Sequence, residues 1–276
     1  MINNPEPNNL ESNRTNMGLP LAPPTAPAPI IEDPRKRWGA WATLGFGTLI
    51  FLISSTIQAI VVIIFIANQI LTDGNFNPNL IMNLMYNGLM LSVATITSGI
   101  VGVGATYVFI KIRNQFSFKD YLELYPLKAK TVLWVLGAAA ALIIASYFIE
   151  PNFDQSQNLN FTLETYKTAV WPPLFWIAVV VFAPLFEEIL FRGFLFVGLR
   201  KSMIGAAGTI IVTSLLWAAL HAQYNVYGMV SIFILGILLG IVRLKTGSLW
   251  APILFHALWN LVSIVITALY VNGMIQ

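Results

Sequence analysis

The sequence predicts an all-α protein, a polytopic bundle of about seven transmembrane helices. Three observations predict it. Hydrophobic residues make up 57% of the chain and charged residues only 10%, where soluble domains carry about 25% charged. Seven long apolar runs reach or approach the roughly 20 residues that a membrane span needs. Lysine and arginine gather in alternate loops between those runs, as the positive-inside rule expects.

Residues 1–37 are rich in Asn and Pro and hold no periodic apolar pattern. Pro20 to Pro29 includes Pro23-Pro24 and then alternates Ala with Pro. This predicts a disordered or polyproline-like cytoplasmic tail, a spacer or else a binding segment. It lacks the basic start and apolar core of a secretory signal. Residues 38–112 are expected to hold two N-terminal transmembrane helices, Trp38 to Leu71 and about Asn79 to Ile110. Residues 113–130 connect them to a second bundle at 131–272. Its runs are Thr131 to Ile149, Trp171 to Gly198, Gly205 to His221, Val226 to Val242 and Ser248 to Val271.

Basic residues precede the first span (Arg35, Lys36, Arg37). They also follow the second (Lys111, Arg113, Lys119, Lys128, Lys130), the fourth (Arg200, Lys201) and the sixth (Arg243, Lys245). The opposite loops hold only Lys167. The expectation is an integral protein of the plasma (inner) membrane, N-terminus in the cytoplasm and C-terminus outside. Membrane lipid is then an obligate partner. A net charge of +3 makes no case for nucleic acid. The chain has no cysteine, so disulfides and thiolate metal sites are excluded.

Gln115 to Tyr125 reads either as an amphipathic helix of the cytoplasmic interface or as an ordinary loop packed on the bundle. Phe118, Tyr121, Leu122 and Tyr125 fall on one face, and Lys119, Asp120 and Glu123 on the other. Phe116 and Leu124 break the stripe, and Pro126 ends it. Gly236 and Gly240 form a GxxxG, which marks close helix packing. Ser54, Ser55, Thr95, Thr97 and Ser98 are expected to hydrogen-bond within or between helices.

The fourth run contains Phe186-Glu187-Glu188-Ile189-Leu190-Phe191-Arg192. Each charge near a bilayer centre costs roughly 2.5–3.5 kcal/mol on the insertion scale, so these three must pair, face a cavity or work. Glu188 and Arg192 are i and i+4, a spacing that pairs them on one helix face. Glu187 points about 100° away and must find a partner on another helix. Pro184 is expected to kink this helix and free carbonyls nearby.

The chain has two histidines. His221 ends the fifth run, four residues after Trp217. His256 lies in the seventh, with Asn260 at i+4 on the same face. A lone membrane histidine is commonly a packing or hydrogen-bonding residue. Two histidines, an Asn, two Glu and an Arg in one apolar core make a site hypothesis. Glu187 lies about 20 Å from the cytoplasmic Arg200. His221 reaches that level only if residues 202–208 form an interfacial turn and the span starts near Gly208.

A Glu in an apolar cavity beside a His is a candidate general base. Glu187 would activate a water, aided by His221. His256 and Asn260 would donate to the oxyanion at an attacked carbonyl. Glu188 and Arg192 would hold the helix. Glu187-Glu188-x-x-x-Arg192, aromatic-x-x-x-His at Trp217 to His221, and His256-x-x-x-Asn260 resemble the three motifs of the CAAX-protease and bacteriocin-processing family. That family includes prenyl-protein endopeptidases and proteins labelled abortive-infection or lysostaphin-resistance-like. The resemblance covers about residues 130–270, and the second motif departs from the usual Phe at Trp217. It implies an intramembrane glutamic endopeptidase opening toward the cytoplasm. Glu187 and His221 would activate water, and His256 and Asn260 would hold the oxyanion. No cofactor is expected. The substrate would be a peptide or protein, lipidated or a peptide precursor. Three alternatives stay open: a zinc protease using Glu187, His221 and His256, a proton-coupled transporter, and a non-catalytic membrane scaffold or immunity protein of the same fold.

Overall fold

The computed structural model describes residues 37–74, 80–113, 115–149 and 156–275. The proline-rich tail, apart from Arg37, lies outside the described residues. Every element is helical among those described: α1 (Ala40–Asp73), α2 (Leu80–Met85), α3 (Gly88–Arg113), α4 (Phe118–Leu122), α5 (Ala129–Ile149), α6 (Ser156–Lys167), α7 (Pro172–Leu199), α8 (Gly205–Ala219), α9 (Val226–Thr246) and α10 (Trp250–Val271). Six of these are long and apolar enough to cross a membrane: α1, α3, α5, α7, α9 and α10. The fifth expected span is the shorter α8, which ends at Ala219 and leaves His221 in the turn beyond it.

The second expected span is divided. Its first part is α2. After a turn at Tyr86 and Asn87, α3 restarts with the Asn87 side chain accepting from Met90 N at 2.8 Å, which satisfies one of the orphan donors of a helix start. Gly88 is needed there. A Cβ at this position would sit 2.2 Å from the carbonyl oxygen of Thr165.

α1 lies along α3, and α8 along α9. Ser54 Oγ donates to Ser98 O at 2.9 Å across the first pair. Thr97 Oγ1 donates back to Val93 O within α3. Gly236 and Gly240 set the second pair. A Cβ at Gly236 would meet the Ser214 side chain at 2.9 Å, and one at Gly240 would meet Ile210 at 2.9 Å. The GxxxG is a packing device, as expected.

α7 runs at the centre and is not a regular α-helix. It widens to π geometry at Ala178–Phe182 and again at Ile189–Leu195. Pro184 explains the first widening. Ala183 N bonds back five residues to Ala178 O. Continuing that pattern would require Val179 O to accept from residue 184, and proline has no N–H to give. The side chain of Asn260 on α10 fills the gap, donating from Nδ2 to Val179 O at 2.8 Å. The expected irregularity at Pro184 is therefore a π-turn, and a side chain from another helix answers its free carbonyl.

The segment 115–125 takes the second of its two expected forms, a loop packed on the bundle with one short helix in it. Only Phe118–Leu122 is helical, capped by Ser117 Oγ, which accepts from Asp120 N. Tyr121 and Leu122 are fully buried. Glu123, expected on the polar face, turns inward instead. The helix ends there with φ 57°, in the left-handed region. That turn directs the carboxylate into the bundle. It meets Arg243 Nη2 at 2.6 Å, Arg200 Nη2 at 2.6 Å and Arg37 Nη2 at 3.0 Å. Burial opposes the ionised Glu123. The Arg243 hydrogen bond and the charges of Arg243, Arg200 and Arg37 outweigh burial and hold the carboxyl below its ordinary value of 4.5.

Glu123→Gln is expected to destabilise the protein, because Arg243 is left buried without its counter-charge. Removing one partner of a buried pair costs about 3–5 kcal/mol. Because the folded value lies below the ordinary one, the carboxylate's stabilisation is full above pH 4.5 and is lost as pH falls through the folded value. Thermal unfolding in detergent should show a lower midpoint for the variant at neutral pH. The gap should narrow in acid below the ordinary carboxylate range.

Candidate active site

Glu188 and Arg192 pair as their spacing predicts. Both side chains are fully buried, and Arg192 Nη1 donates to Glu188 Oε1 at 2.9 Å. Arg192 Nη2 also donates to Gly236 O on α9 at 3.0 Å. His256, buried on α10, places Nδ1 3.0 Å from the same Glu188 oxygen. That oxygen is an acceptor for Arg192, so Nδ1 donates and Nε2 is the nitrogen facing Glu187. The distance from Nε2 to Glu187 Oε2 is 4.0 Å.

Glu187 finds its partner on another helix. Trp217 Nε1, on α8, donates to Glu187 Oε2 at 2.5 Å. Sequence reasoning gives Trp217 no role beyond opening the second motif. The available signal is the replacement of Phe by Trp, since only the indole carries an N–H. The same ring lies under the Arg192 guanidinium, 4.6 Å from its centroid, a cation–π contact. It meets His221 and His256 edge-on, at 5.1 and 5.2 Å between centroids. Trp217 thus touches Glu187, the Arg192 partner of Glu188, and both imidazoles.

His221 lies in the turn after α8. Its Nδ1 is 2.8 Å from Trp217 O. A carbonyl only accepts, so Nδ1 donates, and in the neutral imidazole the lone pair is on Nε2. The ring stacks nearly parallel to Tyr224 at 6.3 Å, and Tyr224 meets Phe161 of α6 edge-on at 5.6 Å. Burial is the largest influence on the Tyr224 phenol and raises its pKa. The nearby Glu187 charge raises it further, and hydrogen bonds with Thr162 and Gln223 oppose the rise. Tyr224 is therefore a second residue at this site that sequence reasoning misses.

The structure brings Glu187, Glu188, Arg192 and His256 into one network, with His221 joined through Trp217. Asn260 sits one turn beyond His256 and is engaged with Val179 O. No hydrogen bond joins Glu187 to His221 among the described residues. Nor do three His, Asp or Glu side chains among them converge as a metal-ligand set, and Glu187, His221 and His256 are no exception.

Comparison with known proteins finds that residues 169–262 match the family model described as Type II CAAX prenyl endopeptidase Rce1-like. This is the family that the three motifs resemble, and the matched segment holds every residue of the network above. The chain is 28% identical over 138 residues to an uncharacterized 24.3 kDa protein of Escherichia coli, covering 45% of this chain and 59% of that protein. It is 28% identical over 259 residues to an uncharacterized protein of Mycoplasma capricolum subsp. capricolum, covering 87% of this chain and 72% of that one. No solved structure gives a significant match.

Arg192→Met is expected to lower stability by about 3–5 kcal/mol, since Glu188 is left as a buried carboxylate bonded only by His256. Adding Glu188→Leu should recover a large part of that loss, because two apolar side chains can replace a buried pair. Thermal unfolding of the single and double variants in detergent measures both.

Proposed function

From a segment of the Rce1-like family that carries Glu187, His221, His256 and Asn260, we propose that this protein is an intramembrane glutamic endopeptidase. The observation that supports this most is the state of Glu187. It is a carboxylate in an apolar bundle, half-buried, with one oxygen tied to an indole N–H. No hydrogen bond among the described residues engages its Oε1. A base needs that combination of fixed position and free lone pair.

The chemistry is hydrolysis. Glu187 takes a proton from a water as the water oxygen bonds to the peptide carbonyl carbon. His221, anchored through Nδ1 on Trp217 O, orients that water through Nε2 in its neutral form. The carbonyl electrons move to oxygen. Asn260 has a second Nδ2 hydrogen beyond the one given to Val179 and donates it to that oxyanion. His256, anchored by Nδ1 on Glu188, donates through Nε2 when doubly protonated. The carbonyl re-forms, the C–N bond breaks, and the proton held by Glu187 passes to the leaving amine. The products are a carboxylate and an amine, and no covalent enzyme intermediate is required. The substrate is a peptide or protein, either a lipidated tail or a peptide precursor.

Cleavage of a membrane-peptide pool, including prenylated tails, by the purified protein in detergent tests the reading. Glu187→Gln should reduce turnover at least 100-fold, the scale of general-base catalysis, and a strong chelator should leave it unchanged. Cleavage that survives Glu187→Gln would sink the proposal, and loss with chelator would move the site to metal chemistry. Trp217→Phe keeps the ring and removes the N–H. Hydrogen bonds to charged groups are worth about 1.5–3 kcal/mol, so kcat should fall roughly 10- to 100-fold with KM little changed. An unchanged kcat would show that the indole only packs.

A further inference from the structure

The Glu123 cluster carries more positive charge than it neutralises. Three guanidiniums meet one carboxylate, which leaves two positive charges in excess. Arg243, fully buried, takes Glu123 Oε2 at 2.6 Å. Arg37 and Arg200 then crowd onto the other oxygen, Oε1, at 3.0 and 2.6 Å. Two neighbours leave the excess in place. The Asp120 carboxylate accepts from Ser117 Oγ at 2.7 Å, and only its backbone oxygen reaches Arg37, at 3.2 Å. Burial outweighs the Arg37 and Arg113 charges at the Tyr121 phenol and pushes its pKa up to about 12, so it stays neutral.

The two surplus cations are the accessible ones. Arg243 is sealed inside the bundle, whereas the Arg37 and Arg200 side chains are 20% and 21% exposed. Both stand at ends of membrane-spanning helices on the side of the basic loops. Arg37 comes shortly before α1, and Arg200 directly follows α7. Those two helix ends are packed together, since a Cβ at Gly198 would collide with the Thr43 side chain. Charged residues at the end of a span lie at the level of the lipid headgroups.

Both guanidiniums are also held in place. Arg37 lies over the Phe116 ring at 5.2 Å and the Tyr121 ring at 5.9 Å, and Arg200 over the Phe196 ring at 5.8 Å. Each turns Nη2 toward Glu123, and among the described residues neither Nη1 reaches an acceptor. Two fixed guanidiniums side by side, with N–H groups to spare, match the oxygens of a phosphate.

We propose that Arg37 and Arg200 form a binding site for the phosphate of an anionic phospholipid, in the leaflet on the side of the basic loops. The lipid phosphate accepts from both arginines and balances charge that Glu123 leaves over. It thereby joins the segment before α1 to the end of α7. The site is separate from the Glu187 network and does not rest on the endopeptidase reading.

Thermal unfolding of the purified full-length protein in neutral detergent tests this, at fixed ionic strength. Short-chain phosphatidylglycerol, short-chain phosphatidylcholine and inorganic phosphate are each titrated in. Phosphatidylglycerol should raise the midpoint to a plateau, by roughly 5–10 °C once it is about 100-fold above its Kd. Phosphatidylcholine and inorganic phosphate should leave it nearly unchanged. Arg37→Gln/Arg200→Gln should abolish the rise. Each single variant should weaken the lipid's Kd at least roughly tenfold, the scale of a hydrogen bond to a charged group, and the single variants decide the matter if the double variant does not fold. Lys128→Gln/Lys245→Gln removes the same charge from exposed positions on the same side and should keep the full rise. Native mass spectrometry should find one phosphatidylglycerol retained by the unaltered protein and by the lysine variant, and none by the arginine variants. Four results would overturn the proposal: an equal rise with phosphatidylcholine, a rise that survives the arginine substitutions, an equal loss in the lysine variant, or a full rise with inorganic phosphate alone. The third would mean general surface charge, and the fourth a free anion as the ligand.

Discussion

A carboxylate at the centre of a membrane helix has to be neutralised before anything else in the bundle can form around it. Glu188 meets that constraint with Arg192 one turn away, at 2.9 Å and fully out of solvent. The pair then recruits its neighbours. Arg192 reaches the Gly236 carbonyl on α9 and covers the Trp217 ring on α8, while Glu188 holds His256 on α10. Three helices besides α7 are positioned by two charges. Hydrogen bonds and a cation–π contact offset part of the desolvation cost.

The irregularity of α7 serves the same arrangement. A regular α-helix satisfies its own carbonyls and offers none to its neighbours. The two π-turns change that. Val179 O, facing a proline, accepts from Asn260, and Arg192 O accepts from Arg243. Each turn therefore docks a polar side chain of another helix onto the backbone of α7. Asn260 is held one turn from His256, and Arg243 is held between the site and the Glu123 cluster. Irregular backbone inside a membrane protein is tolerated where partners of this kind exist.

Two charge networks lie along α7 and do different work. The Glu123 cluster joins α4, α7, α9 and the segment before α1, and it forms a floor of the bundle. The Glu187–Glu188 network lies above that floor. Trp217 separates the roles of the two adjacent glutamates. Glu188 is held through Oε1 by a cation and an imidazole, whereas Glu187 holds one indole N–H and, among the described residues, has no hydrogen bond on Oε1. Adjacent residues of the same type thus become a structural anchor and a candidate base because they point to different neighbours.

Six of the seven expected spans and the Glu188–Arg192 pair were legible in the sequence, because each depends on residues close together along it. Apolar run length sets a span, and i,i+4 spacing sets the pair. Pro184 likewise announced a break in α7, since the missing N–H is a property of the residue itself. The motifs also located the glutamates, histidines and Asn260 that the family match covers. Tertiary structure alone decided the partner of Glu187, the inward turn of Glu123 and the engagement of Asn260 with Val179. It also decided that α8 stops short and leaves His221 in a turn beside Tyr224. Each of these depends on how closely two helices distant in sequence approach, or on a single left-handed residue at a helix end. Neither the apolar pattern nor the spacing of residues along one helix carries that information.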